Sequence, residues 1–123
     1  MNIGRLRGAL SAIVTPFDTD GEVDEKALRR LVEAQIAGGI DGIVACGTTG
    51  ETPTLDGDEQ ERVVKTVVDA AAGRVPVIAG TGTNDTRATV RNTHRASAWG
   101  VDAALVVVPY YNKPTQEGIF RHF

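Results

Sequence analysis

Ile43-Val44-Ala45-Cys46-Gly47-Thr48-Thr49-Gly50-Glu51 joins a short apolar run to a glycine-flanked polar turn. Such a run reads as a buried parallel strand that delivers a loop to its C-terminal end, where α/β proteins place their sites. Thr48 and Thr49 offer two hydroxyls there, beside exposed backbone N–H groups. Donors converging on one point suit a small carboxylate or an oxyanion, because they replace its lost water without a full positive charge. The plainer alternative is a loop leading into a helix, whose threonines only satisfy nearby backbone groups. The segment by itself leaves both open.

Working outward, Gly8 to Thr15 reads as a first strand and Phe17 to Gly21 as a turn. Asp24 is placed to N-cap a helix, with Val23 and Leu28 spaced as a hydrophobic staple. Leu28, Leu31, Val32 and Ile36 form its apolar face, and Gly38-Gly39 end it. Beyond the central loop, Asp56 and Glu59 have capping-box spacing at the start of a second helix. That helix is expected to bury Val63, Val64, Val67, Val68 and Ala71 and to stop at Gly73. Val75 to Ala79 is a third strand, followed by Gly80-Thr81-Gly82-Thr83-Asn84 and a helix from Asp85 to Trp99 whose apolar stripe is mostly alanine and Val90. Ala103 to Val108 is the most apolar run and a fourth strand, and Thr115 caps a fourth helix toward Phe123. Gly39-Ile40-Asp41-Gly42 and Gly100-Val101-Asp102-Ala103 look like one helix-to-strand joint used twice.

Strand and helix alternate with a repeat of about 30 residues, which gives either an open doubly wound sheet or part of a (β/α)8 barrel. Four such units make up about half of a barrel of roughly 250 residues. A half-barrel leaves two unpaired sheet edges and an apolar inner face, so it needs a partner or its other half.

With 123 residues, 41% hydrophobic and 24% charged, the composition is that of a soluble globular domain or part of one. The formal net charge of −3 and the lack of a basic cluster argue against nucleic acid and anionic membrane as partners. No apolar run approaches the roughly 20 residues of a membrane span. Arg5 and Arg7 before the first apolar run imitate a signal peptide, but the run is short and meets Thr15-Pro16-Phe17-Asp18. Cys46, the one cysteine, excludes an internal disulfide and fits a reducing cytoplasm. Its strand-end position suits a nucleophile, yet no histidine is matched to it, so a packed thiol is the better reading. Gly80-Thr81-Gly82 lacks the third glycine of a dinucleotide fingerprint and follows the third strand, and the central loop lacks the Gly-Lys-Ser/Thr of a P-loop. His94 and His122 have no partner at ligand spacing, so neither a metal nor a cofactor is expected. Tyr110-Tyr111 at a strand end can serve as proton donors or hydrogen-bond relays, or can pack at an oligomer interface.

Gly47-Thr48-Thr49-Gly50-Glu51, Gly80-Thr81-Gly82-Thr83-Asn84-Asp85, Val14-Thr15-Pro16-Phe17 and above all Val107-Val108-Pro109-Tyr110-Tyr111-Asn112-Lys113-Pro114-Thr115-Gln116-Glu117-Gly118 resemble the dihydrodipicolinate synthase (4-hydroxy-tetrahydrodipicolinate synthase) family. The resemblance covers the whole chain. It implies the N-terminal half of a single (β/α)8 barrel domain over residues 1–123, with the C-terminal half outside the chain. The implied activity is condensation of pyruvate with aspartate semialdehyde through a lysine Schiff base, in diaminopimelate and lysine biosynthesis, by a cytoplasmic dimer of dimers. Carried over by position, Thr49 holds the pyruvate carboxylate with Thr48 beside it, and Thr48 forms a proton relay with Tyr111 of a neighbouring subunit. The relay's other tyrosine and the Schiff-base lysine belong to strands 5 and 6, beyond Phe123. Lys26, Lys65 and Lys113 follow no such strand.

In lysine-inhibited members an interface pocket uses two histidines early in the second helix and a glutamate in the third. Those positions are Gly57, Gln60 and Ala88 here, while Asn84 and Tyr110 match, so insensitivity to lysine is expected. The sister pyruvate aldolases, N-acetylneuraminate lyase and the keto-deoxy-sugar aldolases, share the barrel and the strand-2 loop, and the tyrosine-pair string favours the synthase over them. A non-catalytic half-barrel that binds a carboxylate or serves as an assembly piece is the rival of another class.

Overall fold

A computed structural model of the chain describes residues 6–123, so Arg5 lies outside the described part. The elements run β1 (Leu10–Ala12), α1 (Glu25–Ala37), β2 (Gly42–Ala45), α2 (Gly57–Ala71), β3 (Val77–Gly80), α3 (Thr86–Ser97), β4 (Ala103–Leu105) and α4 (Gln116–His122). The strands form one parallel sheet in sequence order, with Leu10 opposite Gly42, Val44 opposite Ile78, and Ile78 opposite Ala103. Each parallel neighbour is reached through a helical crossover, as parallel pairing requires.

One face of the sheet packs on the helices. Ile43, Ala45, Val77 and Ala79 meet Leu28 and Val32 of α1 and Val63, Val64 and Val67 of α2 in a single buried cluster. The other face is bare. Along β1 and its extension Leu10, Ala12 and Val14 are exposed while Ile13 is buried, the alternation expected of a strand covered on one side. Four parallel strands with helices on one face and both edges open are half of a (β/α)8 barrel; a doubly wound sheet would carry helices on both faces.

The helix starts follow the sequence reading. The Asp24 side chain accepts from Ala27 N–H at 2.9 Å, and Val23 and Leu28 are both buried, closing the staple. Asp56 accepts from the N–H groups of Asp58 and Glu59, and the Glu59 carboxylate accepts from Asp56 N–H at 2.7 Å. These backbone donors hold the Asp56 carboxyl below the usual carboxylate range.

Several boundaries differ. β1, β3 and β4 are shorter than their apolar runs, because ladder bonds and not hydrophobicity end a strand. Pro76 lacks an N–H and only accepts, from Ile43 N–H, so β3 begins at Val77 rather than Val75. Beyond β4 the Leu105 carbonyl accepts from both Thr81 and Gly82 N–H, and regular pairing stops there instead of at Val108. α2 ends at Ala71, two residues before Gly73, with Ala72 itself left-handed at φ 49. Val68 is only partly buried. In α3 the expected stripe holds at the alanine Ala96, which is buried, but not at Val90, which is half exposed, while Thr89 is buried in its place. Thr89 faces inward because its hydroxyl donates to Asp85 O at 3.0 Å and accepts from Thr83 N–H, tying the loop after β3 to the helix.

The repeated joint is real. Asp41 Oδ2 accepts from Ala9 N–H at 2.8 Å while Asp41 N–H donates to Ala9 O. Asp102 Oδ2 accepts from Val77 N–H at 3.0 Å while Asp102 N–H donates to Val77 O. Each aspartate thus clamps the start of the preceding strand, and β1-α1-β2 and β3-α3-β4 are two copies of one clamped unit.

Candidate active site

The loop after β2 is held by Thr15 and Thr52 and not by Thr48 or Thr49. Thr15 donates its hydroxyl to Gly50 O at 2.8 Å, and the Thr52 hydroxyl donates to the carbonyls of Cys46 and Gly47. Gln60 Nε2 donates to Leu55 O at 3.2 Å, fixing the turn that follows. Residues 48–50 form one 3₁₀ turn behind Gly47. Neither the hydroxyl nor the N–H of Thr48 or Thr49 has a hydrogen-bond partner among the described residues, and both residues are exposed.

Thr48 lines a cavity of about 290 Å³ together with Cys46, Gln60, Thr81, Asn92 and Tyr110, at the C-terminal ends of β2, β3 and β4. Thr49 is next to this cavity in sequence but does not line it. The glycines of Gly80-Thr81-Gly82 permit close packing here. A Cβ at Gly80 would strike the Cys46 carbonyl, and one at Gly82 would strike the backbone of Val106 and Val107. Their smallness serves contact between strand ends, not a pyrophosphate.

Cys46 is 2% exposed, and burial pushes its thiol up to about 12. A thiol so desolvated holds its proton at neutral pH and is a packing group, not a nucleophile. His122 is buried too, with Nδ1 2.8 Å from the Thr86 hydroxyl and Nε2 3.2 Å from Val107 O, which accounts for both ring nitrogens. His94 is exposed, and no group of His, Cys, Asp or Glu among the described residues is arranged to hold a metal.

Tyr110 and Tyr111 part company. Tyr110 faces the cavity with Thr48, whereas Tyr111 is 95% exposed, lines no part of it and makes no hydrogen bond to Thr48. A tight turn separates them. Tyr111 has φ 69 and Lys113 φ 48, both left-handed, and Asn112 Nδ2 donates to Asn84 O at 2.9 Å to brace the turn against the loop after β3. Asn112 thus links the two segments, its N–H donating to Tyr110 O at 2.8 Å and its Nδ2 to the Asn84 backbone carbonyl. Arg95 fills the space beside Gly57: its Nη2 donates to Gly57 O at 3.0 Å, and a Cβ at residue 57 would meet its guanidinium. Lys26 and Lys113 are exposed, and Lys65 pairs with Glu61 at 2.6 Å.

Sequence reasoning singled out the two threonines and the tyrosine pair. It missed the anchoring roles of Thr15 and Arg95, which are long-range contacts, and of Thr52 and Gln60, which reach five or six residues back within an irregular loop that has no fixed spacing signal. Thr15 alone had a trace, as part of Val14-Thr15-Pro16-Phe17.

Comparison with known proteins agrees with the half-barrel fold. The chain is 60% identical over 117 residues to 4-hydroxy-tetrahydrodipicolinate synthase of Geotalea daltonii, covering 95% of this chain and 40% of that protein. The Methylococcus capsulatus enzyme of the same name is 56% identical over 118 residues, again with 96% and 40% covered. A crystal structure of the chloride-inhibited dihydrodipicolinate synthase from Acinetobacter baumannii, complexed with pyruvate, superposes with a TM-score of 0.93 at 51% identity, covering 95% of this chain and 40% of that one. The chain spans about 40% of the length of these relatives. Residues 5–123 match the model of the dihydrodipicolinate synthetase family, and with the half-barrel and the strand-2 loop already in place, the chain belongs to that family.

Proposed function

We propose that this chain supplies the N-terminal half of a 4-hydroxy-tetrahydrodipicolinate synthase, which condenses pyruvate with aspartate semialdehyde in the diaminopimelate route to lysine. The observation that carries the proposal is the idle pair Thr48 and Thr49. Their neighbours Thr15 and Thr52 already do the structural work of the loop, so two hydroxyls and two N–H groups have no partner among the described residues. Such a set is suited to a carboxylate, which accepts several donors at once and forms stronger hydrogen bonds than a neutral acceptor.

In this reading Thr49 holds the pyruvate carboxylate with Thr48 beside it, and Thr48 shares a proton with Tyr111. The Schiff-base lysine comes from the other half of the barrel. A lysine nucleophile is activated by desolvation, and Lys26, Lys65 and Lys113 are all exposed. The amine attacks the keto carbon and water leaves, with hydroxyl donors taking the proton on and off the oxygen. Tyr111 serves a neighbouring subunit's site in a dimer of dimers, a role its exposure and left-handed turn support. The single, buried thiol is in keeping with a cytoplasmic enzyme.

The test joins this chain to the C-terminal remainder of the Geotalea daltonii relative and assays both substrates. Thr49→Val is expected to raise KM for pyruvate at least about 10-fold with a small change in kcat, the mark of lost binding. An unchanged KM would overturn the role of Thr49. Turnover of N-acetylneuraminate or a keto-deoxy sugar acid, with none of aspartate semialdehyde, would move the chain to the sister aldolases.

A further inference from the structure

Thr15 stands where the extension of β1 meets the loop that carries the two idle threonines. Its own place is fixed twice over. Ile13 N–H donates to Val44 O at 3.1 Å on one side of it, and Asp24 N–H donates to Pro16 O at 2.9 Å on the other. A residue before proline is held extended, and a β-branched side chain is stiff at χ1, so the Thr15 hydroxyl has little freedom. Thr15 is buried and donates to Gly50 O at 2.8 Å, and no other donor among the described residues reaches that carbonyl. A Cβ at Gly50 would stand 3.3 Å from both Ile13 O and Thr15 Oγ1, so the turn lies directly against the extension of β1.

The turn over residues 48–50 is closed by Gly50 N–H donating to Gly47 O at 2.9 Å. Its two ends are gripped from different sides. Thr52 holds the carbonyls of Cys46 and Gly47 at the entry, and Thr15 holds that of Gly50 at the exit. Thr49 shares a peptide bond with Gly50, so the contact that fixes Gly50 also fixes how Thr49 is presented. The geometry points to Thr15 as a positioning residue for pyruvate: without contacting the substrate, it holds the Thr49 hydroxyl and N–H in the orientation in which a carboxylate meets them. This deepens the function proposed above and rests on the carboxylate role given there to Thr49. Donors fixed before the ligand arrives lose little freedom on binding, and the gain appears as affinity.

The joined enzyme described above carries the test. Thr15→Val keeps the shape and removes the donor, and it is expected to raise KM for pyruvate about 5-fold, the scale of one hydrogen bond, with kcat held. Thr15→Ser returns the hydroxyl and is expected to restore most of the affinity. Equal effects of valine and serine, or a fall in kcat at unchanged KM, would overturn the inference. A role that runs through Thr49 also vanishes with Thr49. In a Thr49→Val background, Thr15→Val should raise KM no further, and additive effects would count against the role. Hydrogen–deuterium exchange without substrate reads the positioning by itself. The amides of Gly50 and Glu51, which donate to Gly47 O and Thr48 O, are expected to exchange faster in Thr15→Val while β2 keeps its protection, and unchanged exchange would overturn the inference. If Thr15→Val does not fold, Thr15→Cys, a weaker donor of similar size, takes its place and should fall short of Thr15→Ser in affinity; equality with Thr15→Ser would overturn the inference. The two possible failures are distinct. A raised KM in Thr49→Val with none in Thr15→Val makes Thr15 a fold residue only and leaves the carboxylate reading standing. An unchanged KM in Thr49→Val removes that reading, and the role of Thr15 with it.

Discussion

At the scale of single residues the site is built from positions that break local rules. Cys46, Glu51, Tyr111 and Lys113 all have positive φ without being glycine, and all lie in or beside the loops at the C-terminal ends of β2 and β4. A left-handed residue with a Cβ costs about 1–2 kcal/mol, so an aromatic side chain placed there needs a reason. Tyr111 buries almost nothing in this chain, and its strained backbone aims the ring outward. Tyr111→Gly is therefore expected to be more stable than Tyr111→Ala by about 1 kcal/mol in urea unfolding, because glycine releases the strain and alanine keeps it. Equal stabilities would mean that the turn is not left-handed in solution. The same glycine variant should lose activity in a complete enzyme, which separates what the turn costs the fold from what the ring contributes.

At the scale of elements the strand starts are pinned by acidic clamps. Val77 is buried, so its N–H has no water to turn to when Asp102 is removed. Asp102→Ala is expected to destabilise the chain by about 1–3 kcal/mol, read from the midpoint of chemical denaturation, and Asp102→Asn, which keeps an acceptor, by less. Equal losses would show that the charge and not the acceptor matters. This clamp was visible in the sequence only as a repeated tetrapeptide, Gly-Ile-Asp-Gly against Gly-Val-Asp-Ala, while its function is a contact to a strand 25 residues earlier. The helices were legible for the opposite reason. Caps and staples are local: Asp24 reaches Ala27 and Asp56 reaches Glu59, within one turn. Strand ends were not legible, since Pro76 and the doubly used Leu105 carbonyl act through a neighbouring strand. The Val90 stripe failed because periodicity weighs polarity, and Thr89 is buried for its hydrogen bonds. In the site, Thr48, Thr49 and the tyrosine pair stood out by residue type, whereas the anchors that free the two threonines needed the fold to be found.

At the scale of the whole molecule, regulation and catalysis in the function proposed above both depend on what faces this half-barrel. Lysine-inhibited relatives are expected to grip their effector with side chains at positions that are Gly57, Gln60 and Ala88 here, and Arg95 already occupies the space beside Gly57. A complete enzyme with this half should keep its activity in lysine concentrations that inhibit such relatives, and strong inhibition in a steady-state assay would show that the altered pocket still binds. Catalysis raises the matter of Tyr111. A phenol with a pKa near 10 is a poor acid or base at neutral pH unless neighbouring hydroxyls share its proton. Thr48 is the hydroxyl open to do so, but within one chain no bond joins the two, and the exposed Tyr111 does not line the cavity that Thr48 lines. A relay that crosses between subunits satisfies both facts. In a complete enzyme Tyr111→Phe keeps the ring and its packing while removing the hydroxyl, so kcat should fall by about 10²-fold with little change in dimer affinity. Co-expression of that variant with one lacking the Schiff-base lysine then discriminates between arrangements. In a mixed dimer one site has an intact lysine and borrows an intact tyrosine from its partner, so part of the activity returns. If Tyr111 instead served its own subunit, each site would lack one of the two groups, and mixtures shown by mass to contain mixed dimers would stay inactive.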